Sequence, residues 1–206
     1  MECVSRPSPM SSRGFAQSVG LTMLLTVLTA STAVAGDVQI DAEFPGGNLV
    51  VERIEGDDVW VHQDLRDTPK FWFWWNCRVR EAAGRTLTFR FTQGNVFGPR
   101  GPAVSRDGGQ TWGWLGTEAC DGDSFVCSFA PDETDTRLAF AIPYTAAHLD
   151  AWMATHRDNP HFVHETLTRS NGGRDVPLLR VGCVDGSAKK RVLVTCRHHA
   201  CESVAG

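Results

Sequence analysis

The chain has 206 residues, of which 42% are hydrophobic; this is enough for a full domain with a buried core and excludes wholesale disorder. Twenty basic side chains stand against 24 acidic ones, a net charge of −4, and no lysine- or arginine-rich run occurs. We therefore expect no nucleic-acid partner, because phosphate binding needs a basic surface.

The first 35 residues have the pattern of a secretory signal peptide. Arg6 and Arg13 precede an apolar stretch over residues 19–28, and small residues follow up to Ala33-Val34-Ala35. This order predicts cleavage after Ala35 and export to the periplasm or the outside of the cell. The apolar stretch is short for a membrane span, so we expect no stable span after cleavage; a retained N-terminal anchor is the alternative.

The cysteines fit an oxidising compartment. Cys3 leaves with the signal peptide, and an even number remains, which is typical of disulfide-bonded exported proteins. Two of them flank the turn-forming residues 121–123 and could close a hairpin disulfide, but six cysteines allow 15 pairings and the sequence does not choose among them. The sequence contains no C-x-x-C pair, so a metal-binding role for these cysteines is not favoured. The six are Cys77, Cys120, Cys127, Cys183, Cys196 and Cys201.

Residues 37–145 alternate between apolar and polar side chains in the manner of β-strands. Over residues 71–80 the alternation places Trp72, Trp74, Asn76, Arg78 and Arg80 outward. Over residues 86–92 a second strand follows a turn at Gly84-Arg85, so the two predict a hairpin. A further strand is expected over 137–142. Short strands at this spacing predict an antiparallel β-sandwich over 37–159. The inward set is Phe71, Phe73, Trp75, Cys77, Val79, Leu87, Phe89 and Phe91.

A helix is expected next. Thr145 can cap it, and Leu149, Trp152, Met153 and His156 then lie on one face. We interpret His156 as a histidine at the edge of the core rather than as a metal ligand. Residues 158–160, Asp-Asn-Pro, end the helix and predict a linker.

A second pattern begins at residue 160. Strands are expected over 165–169 and 176–181, separated by a turn at 171–173, and a third, buried strand over 192–194 after a turn at Asp185-Gly186.

His199-x-x-Glu202 follows that third strand directly. An imidazole and a carboxylate at this spacing, just past a strand end, can turn toward one point and supply two of the three protein ligands of a catalytic zinc ion. The pattern also occurs by chance in solvated turns. The adjacent His198 points away from its neighbour at a strand end, so we do not expect it to bind the metal.

With Arg197, these residues read R-x-H-x-x-E, and here the chain resembles the zinc carboxypeptidases of the M14 family. Residues 170–179 resemble the first hairpin of that catalytic domain. The stretches 71–73, 89–91 and 141–145 resemble the β-sandwich domain that precedes it in the cytosolic carboxypeptidase-like branch. The similarity covers residues 40–206. It departs from the branch at Ala200-Cys201, where proline and glycine are usual, and in its signal peptide.

The resemblance implies a β-sandwich followed, over 160–206, by the first strands of an incomplete α/β domain with a mixed sheet. It implies an N-terminal fragment of an exported zinc metallocarboxypeptidase that removes C-terminal residues from peptides or proteins. His199 and Glu202 are its metal ligands, and Arg197 orients the site or contacts substrate. A third ligand histidine, a glutamate base and a substrate-gripping arginine are expected beyond residue 206, so the fragment alone is expected to be inactive.

The competing interpretation is a secreted β-sandwich that binds a glycan or a protein without catalysis. Residues 105–112 match an Asp-box turn, which we interpret as a structural hairpin because a propeller needs several copies. Exposed tryptophans could stack on sugars, although burial is the favoured interpretation. These are Trp72, Trp74, Trp112 and Trp114.

Overall fold

The computed structural model describes residues 36–65, 72–94 and 96–196, and the following statements concern these residues. They form short strands, one α-helix (α1, Ala146–Thr155) and a 3₁₀ turn over Thr117–Ala119. The strands in chain order are β1 Gln39–Asp41, β2 Val50–Glu55, β3 Asp58–His62, β4 Asn76–Arg80, β5 Thr86–Phe91, β6 Ala103–Ser105, β7 Gly113–Trp114, β8 Cys120–Asp121, β9 Ser124–Ser128, β10 Thr136–Ala139, β11 Phe162–Arg169 and β12 Asp175–Val181.

Ten of the strands form two five-stranded sheets. The first sheet has the order β1-β4-β10-β6-β7, and all its neighbours are antiparallel. The second has the order β2-β3-β5-β9-β8. Within it β3 and β5 are parallel, with Val59 opposite Phe89. The expectation of a purely antiparallel arrangement is therefore wrong at this pair, because the chain leaves the second sheet after β3 to make β4 and returns to it in β5.

Both sheets bury their inward residues in one hydrophobic cluster. The first sheet contributes Cys77, Val79 and Leu138, and the second contributes Leu87 and Phe89, each at most 1% exposed. Alternate side chains along a strand point to opposite faces, so the predicted inward positions of β4 and β5 meet in this cluster. The described chain is thus mostly β-sheet, with its main core between two sheets.

The predicted hairpin between residues 71–80 and 86–92 is wrong. β4 pairs with β1 and β10, whereas β5 pairs with β3 and β9. The connection bends at Glu81 (φ 55°) and Gly84 (φ 73°), and Gly84 donates to the carbonyl of Phe129 at 3.1 Å. The turn therefore carries the chain from one sheet to the other. Alternation predicts which face of a strand is buried but not which strand lies beside it.

Two residues that were predicted to face outward are buried. Trp74 is 8% exposed and Asn76 is 1% exposed. Asn76 exchanges backbone hydrogen bonds with Asn48. The Asn48 side-chain amide donates to the carbonyl of Trp74 at 2.8 Å, and that of Asn76 donates to the carbonyl of Gly46 at 3.3 Å. The polar side chain is buried because its amide group satisfies backbone acceptors of the facing segment.

The predicted helix and the following hairpin are both present. Helix α1 begins after Thr145 and ends at Thr155, before the predicted linker at 158–160. Strands β11 and β12 pair antiparallel around a turn at residues 170–174. None of the described helices is long and apolar enough to cross a membrane. The domain boundary predicted at residue 159 stays a prediction.

The third strand predicted at residues 192–194 is absent from the described chain. Residues 191–196 have no regular secondary structure, and Val192 is 88% exposed. The sheet of β11 and β12 has two strands within the described residues. A strand is stable only when a neighbour takes up its hydrogen bonds and covers its apolar face, and residues 192–194 have no such neighbour here.

Substitution of Gly47 tests the close packing of the turn before β2. A Cβ atom at Gly47 would overlap the backbone carbonyl of Ala42, which belongs to the turn and cannot swing away. We expect Gly47→Ala to lower the free energy of unfolding by about 1–3 kcal/mol, as measured by urea denaturation. Gly113→Ala is the matched control, because a Cβ atom there meets nothing within 4 Å. Equal stability of the two variants would contradict this account.

Candidate functional site

The predicted metal-site residues lie outside the described part of the chain. Arg197, His198, His199 and Glu202 are among the residues whose structure is not described, so their roles stay predictions. Among the described residues, no group of three or more His, Cys, Asp or Glu side chains could hold a metal ion. The structure therefore describes the framework that leads to this segment rather than the ligands themselves.

The start of α1 is fixed by a capping box in which histidine takes the usual place of glutamate. The backbone N–H of Thr145 donates to Nδ1 of His148 at 3.0 Å, and the N–H of His148 lies 3.0 Å from the Thr145 carbonyl. A Cβ atom added to Gly46 would lie 3.3 Å from Cγ2 of Thr145. The helix start thus packs against the Gly46–Asn48 turn, which is hydrogen-bonded to Asn76.

The end of α1 is covered by stacked rings. The Trp152 and His156 rings are 4.3 Å apart, and Phe162 of β11 meets Trp152 edge-on at 5.4 Å. Nδ1 of His156 also lies 2.9 Å from the carbonyl oxygen of Trp152. His156 is half-buried and packs at the helix end, outside the two hydrophobic clusters of the sheets.

A cavity of about 380 Å³ opens between α1 and β11. Its walls carry an acidic side chain (Asp150), a basic one (Arg157) and an imidazole (His164) beside apolar groups. The lining residues are Asp150, Met153, Ala154, Arg157, Phe162 and His164.

The Asp-box turn is a self-contained hydrogen-bonded unit. The Asp107 carboxylate accepts from the backbone N–H and the hydroxyl of Thr111, from the N–H of Gln110 and from the hydroxyl of Ser105. These bonds, those from Thr111 first, hold the pKa of Asp107 well below its usual range. Trp112 Nε1 donates to the carbonyl of Gly109 at 3.1 Å. Every polar atom of the motif named here is used within the turn, which agrees with a structural hairpin.

The tryptophans pack mainly against one another and against the sheets. Trp74 is buried with Ala141 in a second cluster, against which Trp72 and Trp114 pack. Its indole N–H donates to the carbonyl of Gly46 at 3.1 Å. These contacts support the packing interpretation rather than a row of sugar-stacking rings.

The possible disulfide across the 121–123 turn is not formed. Cys120 lies opposite Phe125 rather than Cys127 in the β8–β9 hairpin, and both are free thiols, as are Cys77, Cys183 and Cys196. Burial raises the pKa of Cys77 strongly, with Cys127 as a second cause, and burial raises the pKa of Cys127 to about 11. Cys127 lies two residues beyond Phe125 along β9, so it does not face Cys120 as a disulfide across the turn would require.

One group of functional interest was missed by the sequence reasoning. Arg78 and Arg137 lie side by side on the outer face of the first sheet with Phe44 over them. The outward position of Arg78 was predicted, but its neighbour Arg137 belongs to a strand 59 positions further along the chain. A single sequence carries no signal for such a cross-strand pair.

Comparison with protein-family models and with curated proteins gives no match. Solved structures do match. A protein of Shewanella denitrificans assigned as a carboxypeptidase A is 26% identical with a TM-score of 0.64, over 73% of this chain and 42% of that one. A metallo-carboxypeptidase of Burkholderia cenocepacia is 21% identical with a TM-score of 0.61, over 74% and 42%. One of Pseudomonas aeruginosa, solved with (2-guanidinoethylmercapto)succinic acid, is 22% identical with a TM-score of 0.56, over 69% and 40%.

The chain shares its fold with part of a carboxypeptidase. It spans about two fifths of the length of the carboxypeptidases it matches. The resemblance to this class of fold, which the sequence motifs suggested, is thereby confirmed at the level of the fold. The affinity to the cytosolic branch is not tested by these similarities.

Removal of the Asp107 charge should destabilise the turn in a pH-dependent way. Because the folded-state pKa is lowered, the ionised carboxylate stabilises the fold above the unfolded pKa of about 3.9 and loses this effect as the pH falls toward the folded pKa. We expect Asp107→Asn to lower the melting temperature at pH 7 and the difference from wild type to shrink below about pH 4. Thr111→Val should reproduce part of the loss at pH 7. A difference that stays constant down to pH 2 would contradict the assignment.

The thiols should differ in reactivity according to burial. The thiolate is the reactive form, and a raised pKa together with burial suppresses it. We expect iodoacetamide at pH 8 to label the exposed Cys183 and Cys196 within the native chain, and Cys77 and Cys127 only after denaturation. Peptide mapping by mass spectrometry measures this order. Native labelling of Cys77 at the rate of Cys183 would show that the core opens.

Proposed function

We propose that this chain is the N-terminal part of an exported zinc metallocarboxypeptidase, which removes C-terminal residues from peptides or proteins. The observation that carries the proposal is the fold similarity to metallo-carboxypeptidases, which covers about three quarters of this chain. The R-x-H-x-x-E motif at Arg197, His199 and Glu202 adds the metal-ligand chemistry that such a fold needs.

The described framework supports this assignment. The start of helix α1 packs against the Gly46–Asn48 turn, which is hydrogen-bonded to the first sheet. The β11–β12 hairpin follows the helix. In the proposal, residues 37–159 form the N-terminal domain and the hairpin opens the catalytic domain. The chain between β12 and residue 197 is then only 15 residues long, so the motif lies close in sequence to the β11–β12 hairpin.

The donor chemistry of the motif fits zinc. A neutral imidazole and a carboxylate oxygen are both ligands that zinc accepts, and the family resemblance places a third ligand histidine further along the protein. When bound in such a site, zinc acidifies a water molecule to a pKa of about 7 and polarises the scissile carbonyl.

The chain's own residues have simpler tasks. His199 and Glu202 hold the metal, and the guanidinium of Arg197 binds or orients a carboxylate through paired N–H donors. The substrate is a peptide or protein C-terminus. In support, the Pseudomonas aeruginosa enzyme was solved with a compound that joins a guanidino group to a dicarboxylic acid, the groups a basic C-terminal residue combines with its carboxylate. The base and the third ligand are expected beyond residue 206, so residues 1–206 alone bind zinc weakly and do not hydrolyse peptides.

Zinc content and peptide hydrolysis test the proposal on the protein expressed from its complete gene. We expect one zinc per chain and release of C-terminal residues, and His199→Ala to lower both at least about 100-fold because a metal ligand is lost. His198→Ala is the matched control: it removes the neighbouring imidazole and should leave zinc and hydrolysis within about twofold. Metal analysis and mass spectrometry of peptide products measure these outcomes.

A well-folded protein without zinc and without hydrolysis would overturn the proposal and favour the secreted binding module. Loss of zinc in His198→Ala but not in His199→Ala would support the enzyme assignment and identify His198, rather than His199, as the metal ligand. N-terminal sequencing of the exported protein tests the predicted cleavage after Ala35 independently.

A further inference from the structure

The outer face of the first sheet carries three arginines and two aspartates. Asp41 lies opposite Arg78 across β1 and β4, and Arg78 lies opposite Arg137 across β4 and β10. Arg78 makes paired hydrogen bonds of 3.1 and 3.0 Å to Asp41, and Arg80 donates to the same carboxylate at 3.2 Å. The Asp41 carboxylate thus accepts hydrogen bonds from two guanidinium groups. The second aspartate is Asp135, beside Arg137, so three positive charges stand against two negative ones.

Arg137 is the unsatisfied member of this cluster. Its side chain is only 23% exposed, and its Nε is buried without a hydrogen-bond partner. Its Nε forms an ion pair with Asp135, whose Oδ1 lies 3.6 Å away, longer than a hydrogen bond. The Phe44 ring centroid lies 4.6 Å from its Cζ, and the Gly109 backbone covers its stem. Nε of Arg80 is likewise buried without an acceptor.

Other half-buried arginines of the described chain do not share this state. Arg85, 25% exposed, donates to Asp57 at 2.9 Å and to the carbonyl of Gly56 at 2.7 Å. Arg90, also half-buried, donates to Asp58 at 2.8 Å. Arg137 is different because it also faces a like charge directly across the strand, which is unfavourable unless an anion lies between the two.

We propose that Arg78, Arg80 and Arg137 form a binding site for an oxyanion, a carboxylate or a phosphate, on the outer face of the first sheet under Phe44. Guanidinium groups on neighbouring strands present their N–H donors to one region, and a charged oxygen pair can accept from more than one of them. Each of the three side chains keeps some solvent exposure, so the site is reachable. The site is independent of the proposed peptidase chemistry.

The test uses inorganic phosphate and succinate as probes, with sodium chloride at equal ionic strength as the reference. Arginine Nε–H signals in ¹H–¹⁵N spectra follow binding, and thermal unfolding follows its stabilisation. We expect a saturating shift of the Arg137 signal and, at ten times the dissociation constant, a rise in melting temperature of about 3 °C. A larger response to phosphate or to succinate identifies which oxyanion the site takes.

Arg137→Gln should abolish the rise in melting temperature, and Arg85→Gln should keep it, because Arg85 has its own acceptors in the second sheet. Arg137→Lys, which retains the charge, should raise the dissociation constant measured from the rise in melting temperature about tenfold through the loss of a paired hydrogen bond. Equal responses to chloride and to the probes, or an unchanged response in Arg137→Gln, would overturn the proposal.

Discussion

Trp75 joins the two sheets, and the rest of the structure depends on this contact. It precedes β4 of the first sheet, yet its ring stacks on Phe125 of the second sheet at 5.7 Å and meets Phe91 at 5.1 Å. Phe125 stacks in turn on Phe89 at 4.8 Å. The indole N–H donates to the carbonyl of Val96, so the polar atom of a buried side chain is satisfied. Aromatic contacts therefore fix the spacing of the sheets.

The position of Trp75 also explains the turn that leads to the helix. The residues beside it, Trp74 and Asn76, bond to the Gly46–Asn48 turn, and Gly46 packs on the start of α1. The sheet core, the turn and the helix cap thus form a continuous set of contacts. In the proposed enzyme, the orientation of α1 and of the hairpin after it depends on this set. Damage to the turn at Gly46–Asn48 would therefore change the framework of the site without touching a metal ligand.

Much of this fold follows from local patterns in the sequence. The inward residues of β4 and β5, the Thr145 cap and the β11–β12 turn were predicted, because alternation, capping and turn chemistry act between residues close in the chain. The β4–β5 hairpin and the outward position of Asn76 were predicted wrongly. Each depends on which distant segment lies alongside, as Asn48 does for Asn76, and one sequence contains no record of that choice.

The same distinction separates the two candidate sites. His199 and Glu202 could be proposed from sequence because their spacing is local, whereas Arg78 and Arg137 meet only through sheet pairing. The apolar run at residues 192–194, which precedes the His199 and Glu202 motif, also depends on sheet pairing. Val192, Leu193 and Val194 are each more than 80% exposed, and exposed apolar side chains of this size are costly in water. A neighbouring strand that paired with this run would remove that cost and would fix the residues that follow, so in the proposed enzyme the position of His199 and Glu202 depends on the partner strand as well as on the motif itself.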